Sequence, residues 1–97
     1  MNDDRIDVLA TDHAPHTLEE KQQVYTKAPS GGPLVQHALP AMLTAVKQGK
    51  IKFEKLVQKA CHNPAILFNI EKRGFLKEGY FADLVLVDLE KKNTVIK

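Results

Sequence analysis

The 97-residue chain holds no tryptophan, a single cysteine, and only two tyrosines and four phenylalanines. With Cys61 alone, no intrachain disulfide can form, so a reducing compartment is the simpler setting. Its neighbours make it a small buried packing residue rather than a reactive thiol. No apolar run approaches the roughly 20 residues of a membrane span. The opening Asn2-Asp3-Asp4-Arg5 lacks the form of a signal peptide. A cytoplasmic protein without membrane contact is expected. An excess of one charge sign is also lacking: 14 basic and 12 acidic side chains leave a net charge of +2, spread along the chain. Without a basic block or a patch interleaved with aromatics, nucleic acid is a poor partner. The composition, 43% apolar and 27% charged, is ordinary for a globular chain, and the length allows one small domain at most.

What the chain does have is concentrated first at Val8 to His16. The apolar run Ile6, Val8, Leu9, Ala10 is short enough for a strand and too short for a typical helix. It stops at Thr11-Asp12, and Pro15, which has no N–H to donate, should end any pairing. Asp12 then falls at the carboxyl end of a strand, where parallel α/β proteins keep their chemistry. An aspartate at such a place also serves as a turn former. His13, next along an extended backbone, points the other way and reads as structural. His37 and His62 lie in helical or pre-proline settings and read the same way.

Thr17 and Glu20 have the spacing of a capping box, and Glu19 and Glu20 suit the positive end of a helix dipole. A short helix over Leu18–Tyr25 is predicted, either bracing the loop that carries His16 or lying as an ordinary surface helix. Pro29-Ser30-Gly31-Gly32-Pro33 must be a loop. No Gly-Lys-Ser follows it, which speaks against a nucleotide-phosphate loop. Leu34, Val35, Ala38, Leu39, Met42, Leu43 and Val46 recur at helical spacing up to Gly49, with a kink or a helix start near Leu39 because of Pro40. Phe53, Leu56, Val57, Ala60 and Cys61 form a second amphipathic helix that Asn63-Pro64 should end. Asn63 then caps a third helix from Pro64 to Phe68. Met42 and Phe53 belong to the core. After Gly74, Phe75-Leu76-Lys77 and Ala82–Asp88 read as two strands around a turn at Glu78-Gly79. The second is apolar on both alternating sets and should be covered on both faces.

Ala10-Thr11-Asp12-His13-Ala14-Pro15-His16-Thr17, followed by Glu19-Glu20-Lys21, resembles the last barrel-strand motif of the dihydroorotases of the amidohydrolase superfamily. Gly31-Gly32-Pro33 with Leu39-Pro40, His62-Asn63-Pro64-Ala65 with Leu67-Phe68, and Gly79 with Ala82-Asp83-Leu84-Val85 resemble that family's later landmarks, in order. Together they cover nearly the whole chain. The resemblance implies an α/β fold, the C-terminal portion of a TIM-barrel metal-dependent hydrolase. Residues 1–73 would carry the last barrel strand, the active-site loop and the closing helices. Residues 74–97 would belong to an accessory β-sandwich domain. A whole (β/α)8 barrel takes about 250 residues, so a C-terminal piece of a longer fold is expected.

The chemistry implied is the interconversion of N-carbamoyl-L-aspartate and dihydroorotate in pyrimidine biosynthesis, at a binuclear Zn2+ site. A bound divalent ion lowers the pKa of water to about 7. The resemblance makes Asp12 both a metal ligand and the group that takes a proton on attack and hands it to the leaving nitrogen. It matches His16 to the position that contacts the substrate carboxylate, and Gly32 and Pro33 to the loop whose main chain meets the substrate ring. The family's His-x-His pair, carboxylated lysine and two further histidines have no counterpart here, so these residues alone are expected to be inactive. Allantoinase and dihydropyrimidinase, which open cyclic amides with similar machinery, are the nearest alternatives; His16 favours dihydroorotase, whose substrate carries a ring carboxylate, while Leu34-Val35-Gln36-His37 departs from the Glu-Thr pair that follows the glycines in many dihydroorotases. A non-catalytic dihydroorotase-like assembly partner is the alternative of another class. Strands without neighbours at both ends should drive self-association or homo-oligomer formation.

Overall fold

The computed structural model describes residues 1–92 and Thr94. Positions 93 and 95–97, the end of the expected 74–97 unit, lie outside the described residues. The described residues hold four short α-helices in order: α1 (Leu18–Lys21), α2 (Ala38–Lys47), α3 (Phe53–Val57) and α4 (Asn63–Leu67). A π-helical turn, Gln58–His62, joins α3 to α4 without a break.

Proline explains that join. In an α-helix the N–H of residue 64 would bond the carbonyl of residue 60, and Pro64 has none to give. The chain does not stop there, as Asn63-Pro64 led one to expect. Asn63 keeps right-handed helical torsions, φ −63° and ψ −41°, and its N–H reaches back to the Gln58 carbonyl. The wider turn absorbs the proline, a known use of π-bulges. Asn63 makes no side-chain cap on α4. Its amide instead donates to the Asp7 carbonyl at 2.6 Å.

The loosened turn receives the N-terminal segment. The Lys59 carbonyl accepts the Leu9 N–H at 2.9 Å. The Lys59 ammonium, 2% exposed, pairs with Asp4 at 2.9 Å, and Lys55 reaches the same carboxylate at 2.7 Å. Further back, Asn2 bonds the Lys50 carbonyl and the Lys52 N–H through its two amide atoms. Residues 2–9 thus run alongside α3, the π turn and the start of α4.

Helix ends obey local rules. α2 begins at Ala38, so Pro40 sits in the first turn, where its missing N–H would have no partner, and no kink is needed. Gly49, at φ +72°, ends α2 in a Schellman motif, with Gly49 N–H on Val46 and Lys50 N–H on Ala45. Asn69, at φ +50°, ends α4 in the same way through Ile66 and Ala65. α1 is shorter than the predicted Leu18–Tyr25, because it buries no residue that could extend it.

The core is small. Among the described residues only Leu56 and Ala65 are buried apolar residues, and the radius of gyration of 16.4 Å exceeds the roughly 12.5 Å expected of a compact chain this long. Among the described residues no strand ladder forms; one isolated parallel bridge links His13 and Gly32. The predicted strand through Val8–Asp12 and the two after Gly74 are therefore corrected to irregular chain. An apolar alternation supplies only the faces of a strand, and pairing needs a neighbour that these residues do not contribute. For the same reason Leu84, Val85 and Leu86 stand exposed, as does Phe53 at 47%, against its expected core place. Cys61 is also exposed, contrary to the expected packing role. It lies two residues beyond buried Lys59, toward the far side of the turn.

Residues after Gly74 still return to the helices. Phe75 stacks on His62 with ring centroids 4.4 Å apart, and Lys47 bonds the Leu89 carbonyl. Gly74, at φ +77°, makes this return possible: a Cβ there would lie 2.5 Å from the Ala65 Cβ and 2.7 Å from the Cys61 carbonyl oxygen. Gly74→Ala is therefore expected to destabilise the chain by about 1–3 kcal/mol in urea unfolding. A second outcome concerns acid. The Lys55 and Lys59 ammonium groups hold the Asp4 carboxyl down to about 2, from an ordinary 3.8. Because the folded value is depressed, the contribution is complete above pH 3.8 and is lost as pH falls through about 2. Thermal melts between those limits should show a drop in midpoint that Asp4→Asn abolishes.

Candidate active site

The site forms where the segment around Asp12 meets the glycine loop. The Ala14 N–H donates to the Gly32 carbonyl at 3.0 Å, beside the parallel bridge between His13 and Gly32. Val35 donates its N–H to His13 Nδ1 at 3.2 Å, which engages His13 in the structural role read from the sequence. Gly31, at φ +84°, is pressed so closely on Ala14 that a Cβ would come within 2.6 Å of the Ala14 Cβ. Glycine is required there for both reasons.

Asp12 is not at the end of a strand. It sits exposed at φ +46°, a left-handed conformation that aspartate tolerates better than most side chains. The segment is anchored on one side at Leu9 and on the other at Ala14, so Asp12 occupies the bend between two fixed points. Pro33 is exposed and Gly32 is half-buried. The Gly32 carbonyl already serves both Ala14 and Leu34. The parallel bridge pairs the Gly32 N–H with the Asp12 carbonyl.

α1 organises the other rim. Thr17 Oγ1 accepts the Glu20 N–H at 3.2 Å, and Glu20 Oε2 accepts the Thr17 N–H at 2.8 Å, completing the predicted capping box. The same carboxylate lies 3.6 Å from His16 Nδ1. The Thr17 N–H, chiefly, holds the Glu20 carboxyl below the usual glutamate range against partial desolvation, and the Thr17 hydroxyl and His16 add to it. Lys21, the last residue of α1, turns its ammonium onto the Pro29 carbonyl at 2.7 Å and onto the Gly31 carbonyl. Sequence reasoning gave Lys21 no role. A lysine after two glutamates looks like any basic helix end, and only the returning loop shows what it holds.

Among the described residues no three His, Cys, Asp or Glu side chains converge in a way that could hold a metal ion. The residues of this chain do not by themselves fit a complete catalytic metal site, for which an aspartate supplies one ligand of the four or more needed.

A bend that presents a lone carboxylate next to a glycine loop fits a hydrolase whose site is shared among several segments. The chain belongs to the amidohydrolase family, whose model matches residues 1–97. Membership implies a TIM-barrel relationship and a metal cofactor. The curated relatives it resembles are dihydroorotases. That of Halobacterium salinarum is 49% identical over 88 residues, 91% of this chain and 21% of that protein. That of Clostridium acetobutylicum is 43% identical over 96 residues, 98% of this chain and 22% of that protein. A Bacillus cereus dihydroorotase is 45% identical over 94 residues, 96% of this chain and 22% of that protein. The chain thus spans about a fifth of the length of these relatives.

The capping box sets one expectation. With its folded value depressed, Glu20 stabilises α1 fully above the ordinary glutamate range, and the contribution is lost as the pH falls below it. Thr17→Ala should fray α1, and the Glu20 carboxyl, followed by NMR, should then titrate closer to an ordinary glutamate.

Proposed function

We propose that these residues act as the C-terminal part of a zinc-dependent dihydroorotase, interconverting N-carbamoyl-L-aspartate and dihydroorotate in the cytoplasm. The observation that carries this reading is similarity to dihydroorotases along more than nine-tenths of the chain. Residues 1–73 then close the barrel, and residues 74–97 belong to an accessory β-domain whose other strands come from elsewhere. The uncovered apolar face at Leu84–Leu86 supports that division.

In this reading Asp12 would be one ligand of the metal, and its carboxylate accepts a proton from the attacking nucleophile and passes it to the leaving nitrogen. Its exposed place on a bend suits a group that must reach both. His16 meets the substrate carboxylate, with Glu20 behind it. Gly32 and Pro33 meet the substrate ring through the main chain of their loop. The remaining ligands come from residues outside these 97, and the whole enzyme is expected to be a homo-oligomer.

In the full-length protein that carries these residues, Asp12→Asn is expected to lower dihydroorotate hydrolysis by about 10²-fold or more. Allantoin and dihydrouracil should be poor substrates. Activity that survives Asp12→Asn within about tenfold, or a preference for either of those rings, would overturn the proposal.

A further inference from the structure

We infer that the His13 side chain is a positioning group that holds Pro33 beside the Asp12 bend, an inference that rests on the proposed function for its consequence in activity. The parallel bridge fixes the glycine loop as far as Gly32, through the Ala14 N–H and the Asp12 carbonyl. Beyond Gly32 the chain makes a γ-turn about Pro33, closed by the Leu34 N–H on the Gly32 carbonyl at 2.9 Å. The Leu34 carbonyl then accepts from His37 at 3.0 Å and from Ala38 at 2.9 Å, in the turn that leads into α2. These three bonds are local. They shape the segment but do not tie it to anything distant.

One bond does. Among the described residues, the hydrogen bond from the Val35 N–H to His13 Nδ1 is the one that joins residues 33–37 to a distant segment. A helical turn leaves its leading N–H groups without partners, and His37, just before α2, makes no side-chain cap. His13 supplies an acceptor from 22 residues earlier. An imidazole accepts only at a ring nitrogen that carries no proton, so the geometry puts the His13 ring proton on Nε2. Pro33 is thereby bracketed: the bridge holds Gly32 on one side, and the imidazole holds Val35 on the other. His13 directly follows Asp12, so one residue sets the spacing between the carboxylate and the loop.

The test uses two variants of the full-length protein. His13→Phe keeps a flat ring and removes the acceptor; His13→Asn puts a carbonyl oxygen at the place of Nδ1 and keeps it. Hydrogen exchange of the peptide spanning residues 33–38 should quicken about fivefold in His13→Phe and return toward the starting rate in His13→Asn, with residues 56–65 unchanged in both. KM for dihydroorotate should rise about fivefold in His13→Phe with kcat little altered, and His13→Asn should recover it. Unchanged exchange over residues 33–38 in His13→Phe would overturn the inference whatever the activity, as would a fall in kcat at constant KM. A parent protein inactive on dihydroorotate would instead overturn the proposed function, and the exchange result would still decide the role of His13.

Discussion

A proline that cannot donate a hydrogen bond is the constraint on which the rest of this structure depends. Pro64 leaves the helix one bond short, and the chain answers with a wider turn rather than an ending. That turn frees the Lys59 carbonyl to receive Leu9 and places the Asn63 amide against Asp7. Asn63 and Pro64, expected as punctuation, prove to be a docking device for a segment more than fifty residues earlier.

Lys59 does two jobs in consequence. Its carbonyl holds the backbone of the N-terminal segment, and its buried ammonium holds the Asp4 carboxylate. A lysine buried this deeply needs its ion pair, because an unpaired ammonium removed from water is costly. Where most small proteins would secure a segment by apolar packing, this one relies on two lysine ammonium groups on one carboxylate and four backbone-directed hydrogen bonds. Among the described residues only Leu56 and Ala65 are buried apolar side chains. The large apolar faces of α2, α4 and residues 84–86 contribute little within the chain, which is consistent with a stretch that covers about a fifth of its relatives.

The geometry at Asp12 follows from those anchors. Leu9 is tied to the π turn and Ala14 to the glycine loop, so the intervening residues must bend, and Asp12 takes the left-handed torsion. The glycine loop is fixed from both sides in turn, by Ala14 and His13 on one and by Lys21 on the other.

Local chemistry was legible in the sequence. The capping box at Thr17 and Glu20, the left-handed stop at Gly49, the loop at Gly31-Gly32 and the family motif around Asp12 all depend on neighbours within a few residues, so the order of amino acids determines them. The strands were not legible in the same sense. Alternating apolar residues give a segment two usable faces, but its ladder belongs to the pair, and no partner lies among the described residues. The exposure of Cys61 and Phe53, the burial of Lys59 and the grip of Lys21 on the loop were decided only by tertiary structure. Each depends on which distant segment comes to rest against it, and helical periodicity carries no record of that.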